Sequence, residues 1–228
     1  ITILTNENQS CGNQSDMKMV EQFYMTFRPE DMHQPLEEDK ECSAFELIKE
    51  EYCELKEEIL EKIREFRSTR DKKAFTQYFT QDEHHLEILL ESIWKLETYP
   101  YKEYASWMFF HIVRTHPESY QSYYNNLVDV LFKTDDQSVL RNVVNCIQTL
   151  KITEYRESEF IDLLISFIQN HENKVALQVY SIAILIQFCE KYPELSSEIE
   201  QIIELNNEGK TAAYKVENRK LKNLLKKK

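Results

Sequence analysis

Residues 174–205 have the sequence KVALQVYSIAILIQFCEKYPELSSEIEQIIEL, in which a long apolar run is joined to a shorter amphipathic run at Tyr-Pro-Glu. A second Pro-Glu pair occurs 76 positions earlier, within THPESY at residues 115–120. Proline is favoured at the first residue of a helix, because the N–H that it lacks would have no intrahelical partner there. The sequence therefore predicts a recurring pair of helices, in which His116 and Tyr192 precede the second helix.

Three segments align as copies of this pair: residues 102–133, 138–169 and 174–205. The second and third copies align at an offset of 36 residues, and the first and third at 76, or twice 38. Two helices in each interval of this length are typical of stacked repeats, in which no copy buries its hydrophobic face alone. We predict an all-α fold, a right-handed α-α superhelix of HEAT- or armadillo-like repeats.

A long amphipathic helix is predicted before the repeats. Apolar residues recur at intervals of three and four from Phe45 to Phe66, after a capping-box spacing at Ser43. Such a helix either packs on the protein's own core or pairs with a partner helix, and we favour the core because three heptads are short for a coiled coil. Two further helices are predicted at residues 72–79 and 82–97, the second after a capping-box spacing that begins at Thr80.

The N-terminal segment, residues 1–40, is polar and contains two prolines among acidic residues. The sequence predicts a flexible or docking segment there, followed by one helical-repeat domain over residues 41–228.

The composition excludes several classes of protein. Only two glycines, Gly12 and Gly209, occur in 228 residues, so the middle of the chain contains no glycine-rich nucleotide loop. The five cysteines form no CxxC pair and the six histidines no HExxH motif, which argues against a metal site. No stretch approaches the roughly 20 apolar residues of a membrane helix. We expect a cytoplasmic protein that is not an enzyme, has no catalytic residues and binds no cofactor or metal.

The last fifty residues resemble a particular family. The matching positions are Lys174, Val175, Ala176, Val179, Tyr180, Ser181, Pro193, Glu194, Leu195, Ala212, Ala213, Tyr214, Lys215, Arg219, Lys220 and Leu221. They resemble the C-terminal end of small bacterial HEAT- or armadillo-like proteins, which implies a helical-repeat fold without an established activity. Members of that family are often labelled adenylosuccinate lyase, but this sequence lacks the serine-rich, glycine-containing loop of that enzyme.

Two sets of residues are candidates for partner binding. The aromatic set is Tyr101, Trp107 and Tyr123, for which burial in the core is the favoured alternative. The basic set is Lys210, Lys215, Arg219, Lys220 and Lys222. These lysines and arginines either contact phosphates or complement the dipole of the last helix and keep it hydrated.

The charge distribution decides between two functions. Residues 210–228 hold eight basic residues and one acid, whereas the whole chain has a net charge of −12, so the first 209 positions carry −19. That negative charge opposes the approach of nucleic acid. We therefore predict an adaptor that holds an unidentified protein or peptide, with no membrane association. The alternative is a nucleic-acid-associated repeat protein that binds phosphates through its basic C-terminal helix.

Overall fold

The computed structural model describes residues 38–206 and 211–225. The chain divides between Ile59 and Leu60 into two compact units. Most of the predicted N-terminal segment, residues 1–37, lies outside the described residues. The second unit holds the end of the first helix and all the helices that follow it in the described residues.

The described residues form ten α-helices and no strand, which confirms the predicted all-α fold. The helices are α1 (Glu38–Thr69), α2 (Lys72–Thr80), α3 (Glu83–Trp94), α4 (Tyr101–Val113), α5 (Tyr124–Leu131), α6 (Gln137–Thr149), α7 (Glu157–Gln169), α8 (Val175–Lys191), α9 (Ser196–Leu205) and α10 (Ala212–Leu225). No helix of the described part is both long and apolar enough to cross a membrane.

The helices stack in two layers. In one layer α2, α4, α6, α8 and α10 pack successively against each other, and α3, α5, α7 and α9 lie against them. Helices α4 and α8 are apolar on nearly all sides because each has neighbours within its layer and in the other layer. The predicted copies correspond to α4–α5, α6–α7 and α8–α9, and α2–α3 is a further pair that stacks in the same way.

The Pro-Glu corners form as predicted. His116 and Tyr192 precede segments of 3-10 helix, Pro117–Tyr123 and Pro193–Leu195, each with proline in its first turn. These segments lead directly into α5 and α9. The corner therefore marks the return from one layer to the other.

Buried polar side chains also follow the repeat. Ser106, Asn142 and Gln178 lie 36 residues apart on α4, α6 and α8, and all three are buried. The Asn142 amide donates to the Ser106 hydroxyl at 3.1 Å. A second hydrogen bond also links residues 36 positions apart: the Gln137 amide donates to the Asn173 side-chain oxygen at 2.7 Å. Two pairs of equivalent positions in successive repeats are thus hydrogen-bonded to each other, whereas the Gln178 amide donates to the backbone carbonyls of Asn170 and Asn173.

One predicted helix start and one predicted capping residue are wrong. The first helix begins at Glu38, so Ser43 lies inside the helix rather than at its start. Thr80 remains the last residue of α2, and Asp82 caps α3 by accepting a hydrogen bond from the His84 N–H at 2.9 Å. Aspartate at this position satisfies a helix N–H that Thr80 is too distant in sequence to reach.

Candidate functional site

The corner between α1 and α2 is rich in charge. Residues 61–73 contain six basic and three acidic side chains, and each acid has a partner within this corner. Glu61 accepts from Arg64 at 3.0 Å, and Glu65 accepts from Lys62 at 2.8 Å. Asp71 caps α2 by accepting from a backbone N–H of its first turn at 3.0 Å. All three carboxylates therefore have partners other than the remaining four cations of residues 61–73.

The cations left over share one property, that no carboxylate contacts them among the described residues. They are Arg67, Arg70, Lys72 and Lys73 at the corner, and Arg114 just after α4. All except Arg67 are exposed. In a protein of net charge −12 this is a local concentration of available positive charge.

Aromatic rings of α4 hold two of the arginines in place. The Arg67 guanidinium lies 4.8 Å from the centre of the Trp107 ring and 5.3 Å from that of Tyr104. The Arg64 guanidinium lies 5.0 Å from the centre of the Tyr101 ring. These rings share one side of α4 because they are three residues apart. Each such contact contributes about 0.5–2 kcal/mol, and it fixes the guanidinium without using its N–H donors.

The rings in turn rest on the hydrophobic core. Trp107 packs against the fully buried Phe75 at 5.4 Å between ring centres and against His111 at 4.9 Å. Phe66 of α1 contacts Phe75 from the other side at 6.5 Å. The support of Arg67 is therefore a packed cluster rather than a mobile loop.

Two open depressions lie along this side of α4. The first, of about 430 Å³, is lined by Arg64, Arg67, Ser68, Arg70, Pro100 and Tyr104. The second, of about 620 Å³, is lined by Lys72, Lys73, Thr76, Gln77, His111, Arg114 and Thr115. We call the whole surface the basic-aromatic face; it comprises both depressions with Tyr101 and Trp107. It follows α4 from Tyr101 to Arg114, about 20 Å at 1.5 Å per residue.

The pKa of His111 reflects the positive charge and the burial within the face. Burial, together with the smaller effect of the positive charges of Lys72 and Arg114, lowers its pKa to about 4. The imidazole is therefore neutral at pH 7 and leaves the positive charge of the face to lysine and arginine.

The structure separates the three predicted aromatic residues. Tyr101 and Trp107 both belong to the basic-aromatic face. Tyr123 packs instead against Phe109 at 6.0 Å and Trp94 of α3 at 6.4 Å. The sequence analysis missed the arginines and lysines of the face, although their signal was present in RSTRDKK at residues 67–73 and in the three-residue spacing of rings on α4.

The predicted basic residues of the C-terminal helix have different surroundings. Lys220 pairs with Glu217 at 2.6 Å, and Lys222 pairs with Glu204 of α9. Lys215 and Arg219 are exposed, with no carboxylate partner among the described residues, and Lys210 lies outside those residues. Helix α10 also contributes to the core, because Tyr214 and Leu221 are fully buried.

The basic-aromatic face has the chemistry of an anion-binding surface. Its donors are guanidinium and ammonium groups, which bind carboxylates and phosphates. In the part of the chain that the structure describes, no group of histidines, cysteines and acids is placed to hold a metal ion.

Comparison with known protein families identifies a HEAT repeat domain over residues 53–227. Comparisons with curated proteins and with solved structures gave no match. The matched region contains α2–α10 and most of α1, including the whole basic-aromatic face. The two-layered stack of helix pairs and this match together show that the chain belongs to the HEAT repeat family.

Proposed function

We propose that the protein is a non-enzymatic adaptor that holds an acidic segment of a partner protein on its basic-aromatic face. HEAT repeat domains generally mediate protein interactions. The observation that carries the proposal is the set of five cations without carboxylate partners along one side of α4, in a chain of net charge −12. Complementary charge steers a partner to such a surface and determines its orientation.

The dimensions of the face favour a short partner segment. A length of about 20 Å accommodates about six residues of extended chain at roughly 3.3 Å each. A segment of that length is confined to the face, whereas a DNA duplex extends beyond it, and the net charge of −12 opposes its approach. The rings also favour a peptide, since Arg64 and Arg67 cover the ring faces on which unpaired bases would stack.

Affinity capture with matched variants tests this function. Wild type, an Arg67→Glu/Arg70→Glu variant and a Lys215→Glu/Arg219→Glu control are used as baits in a nuclease-treated lysate, after circular dichroism has shown that each is folded. We expect a partner that wild type and control retain equally and that the face variant loses at least about tenfold. Equal retention by all three baits would show that the basic-aromatic face is not the binding surface.

The alternative function is nucleic-acid binding through α10. Lys215 and Arg219 support it, because they lie one helical turn apart, are exposed and have no carboxylate partner in the described structure. The pairing of Lys220 and Lys222 with Glu217 and Glu204 weighs against it, because paired lysines release fewer counterions from a phosphate backbone.

A salt titration distinguishes the alternative from the adaptor function. If α10 binds nucleic acid, duplex DNA affinity falls steeply with salt and is lost in the Lys215→Glu/Arg219→Glu variant. Substitution is preferable to removal of α10, because removal would expose the core around Tyr214 and Leu221. DNA binding that the α10 variant leaves unchanged would exclude this helix as the nucleic-acid site.

A further inference from the structure

We infer that the first depression of the basic-aromatic face binds the phosphoryl group of a phosphorylated serine or threonine, and that the second depression binds acidic residues beside it. This inference rests on the proposed function and specifies the chemistry of the partner segment. It follows from how the arginines and lysines are distributed between the two depressions.

Arginine alone supplies the cations of the first depression. Arg64, Arg67 and Arg70 line a space of about 430 Å³ together with the Ser68 and Tyr104 side chains. A phosphoryl group carries up to two negative charges and three acceptor oxygens, and the planar guanidinium fork binds such oxygens in pairs. Three guanidinium groups around one depression offer more hydrogen-bond donors than a single carboxylate, with two oxygens, would engage.

The aromatic contacts preorganise this arginine set. Arg67 is positioned by two rings and Arg64 by one, so both lose less side-chain freedom when an anion binds. Arg64 also donates to Glu61, a pair in which both side chains are more than half exposed. Water screens such an exposed pair strongly, so a dianion in the depression competes with Glu61 for Arg64.

Arg70 is unusual in its backbone as well as its position. It lies in the left-handed region at φ 55°, directly after α1, where glycine is the ordinary residue. A side chain with a Cβ is disfavoured there by about 1 kcal/mol or more relative to glycine. Leu96 and Arg156 share this backbone region, so the strain by itself does not indicate binding; it makes glycine a well-tolerated substitute for Arg70.

The second depression has a different set of cations. Lys72 and Lys73 are joined there by a single arginine, Arg114. The two lysines are compact charges on flexible stems, and they suit carboxylates at variable positions better than one fixed dianion. Tyr104 lines the first depression and His111 the second, and the two residues lie seven positions apart on α4, which corresponds to about 10 Å. An extended peptide covers that distance in about three residues. Acidic residues about three positions from the phosphorylated residue therefore fit this depression.

Fluorescence anisotropy with the full chain tests the inference. The probes are an acidic peptide with one central phosphoserine, the same peptide with glutamate at that position, and a short DNA duplex. We expect the phosphopeptide to bind at least about tenfold more tightly than the glutamate peptide. This preference should diminish between about pH 7.5 and pH 5.5, because phosphoserine loses its second charge near pH 6. Neutral His111, with a pKa of about 4, does not titrate in that range.

An Arg70→Gly variant separates binding from folding. Glycine adopts the left-handed backbone more easily than arginine, so the variant should fold at least as stably as wild type. We expect it to lose most of the preference for phosphoserine over glutamate. Arg219→Ala on α10 is the matched control and should keep the full preference.

The possible outcomes distinguish this inference from the proposed function. Equal affinity for the phosphoserine and glutamate peptides would overturn the phosphoryl site and leave the adaptor function standing. Tighter binding of the DNA duplex than of either peptide would overturn both. Weak binding of all three probes would also overturn the phosphoryl site, and the capture experiment would then decide the adaptor function by itself.

Discussion

The basic-aromatic face and helix α10 appear similar in the sequence and differ in the structure. Residues 61–73 contain six basic residues against three acids, and residues 210–228 contain eight against one. Sequence counting therefore favours the C-terminal end as the anion-binding surface. In the structure, five arginines and lysines without carboxylate partners gather along α4. On α10, Lys215 and Arg219 also have no such partner among the described residues, but Lys220 and Lys222 are paired with Glu217 and Glu204.

The difference teaches that the number of cations in a segment does not measure its capacity to bind anions. What matters is which groups occupy the donors. A guanidinium held on a ring keeps its N–H groups for a ligand, whereas an ammonium bonded to a carboxylate must break that bond first. The following predictions test this difference between the two regions, in order of decreasing effect.

Trp107→Ala should have the largest effect, because it removes the ring beneath Arg67 and its contacts with Phe75 and His111. We expect the free energy of unfolding in urea to fall by about 2–3 kcal/mol, less than for a fully buried tryptophan because this ring is partly exposed. Val216→Ala on α10 is the control, since Val216 is 45% exposed, and should change the value by less than about 0.5 kcal/mol. Equal effects would show that Trp107 does not support the face.

Arg67→Lys should weaken binding of the phosphopeptide about tenfold while it preserves the charge. Lysine has no planar fork and stacks less well over Tyr104 and Trp107. The converse exchange on α10, Lys222→Arg, should change the affinity less than twofold, because that position is paired with Glu204. Titration of both variants with the same peptide gives the comparison, and an undiminished affinity of the Arg67→Lys variant would mean that charge alone is recognised.

His111 should make the stability of the folded chain depend on pH. Its folded-state pKa of about 4 lies below the ordinary value of 6.5, so between these values the unfolded chain binds a proton that the folded chain does not. The stabilisation is fully present above about pH 6.5 and is lost as the pH falls towards 4. After allowance for solvent screening, it is on the order of 1 kcal/mol.

The measurement for His111 is urea unfolding across this pH range in wild type and His111→Gln. The difference between the two curves isolates this residue from the carboxylates that begin to titrate near pH 4. Parallel curves would contradict the burial of a neutral imidazole in the face.

Glu204→Gln should have the smallest effect on stability. It removes the negative charge that pairs with Lys222 but keeps an acceptor for the Asn218 amide, which now donates to Glu204 at 2.9 Å. Because both side chains of the ion pair are in contact with water, with exposures of 42% and 39%, we expect a shift of the urea midpoint close to zero. If pairing with Glu204 limits the binding of DNA by Lys222, the affinity for DNA at low salt should rise slightly in this variant. A large loss of stability would show that the ion pair is structural.

Much of the fold could be predicted from the sequence because its signals are local and repeated. Helix pairs, the Pro117 and Pro193 corners and the interval of 36–38 residues follow from apolar spacing and proline chemistry. The wrong start at Ser43 and the wrong cap at Thr80 arose because several residues near a helix end can supply a cap. Which of them does so at α3 depends on where the preceding helix stops.

The candidate site was only half predictable. Tyr101 and Trp107 were identified as candidate binding residues, but their association with Arg64 and Arg67 required α1 and α4 to meet across more than thirty residues of sequence. Tyr123 was grouped with them because it lies off the apolar stripe of its helix, although its ring packs on Phe109 and Trp94. Which distant segments lie close together depends on how the helices stack, and local sequence patterns do not show this.

The sequence by itself therefore determined the helix pairs, their repeat and the overall charge, because each depends on neighbours along the chain. Only the tertiary structure decided which cations are available, because that depends on the distances between side chains of different helices. Glu217 and Glu204 bond to lysines of α10. The carboxylates of residues 61–73 bond to other groups, which leaves Arg67 and Arg70 without a carboxylate partner among the described residues. Coulomb attraction and ring stacking act over a few ångströms, so packing determines which charges remain available for a partner.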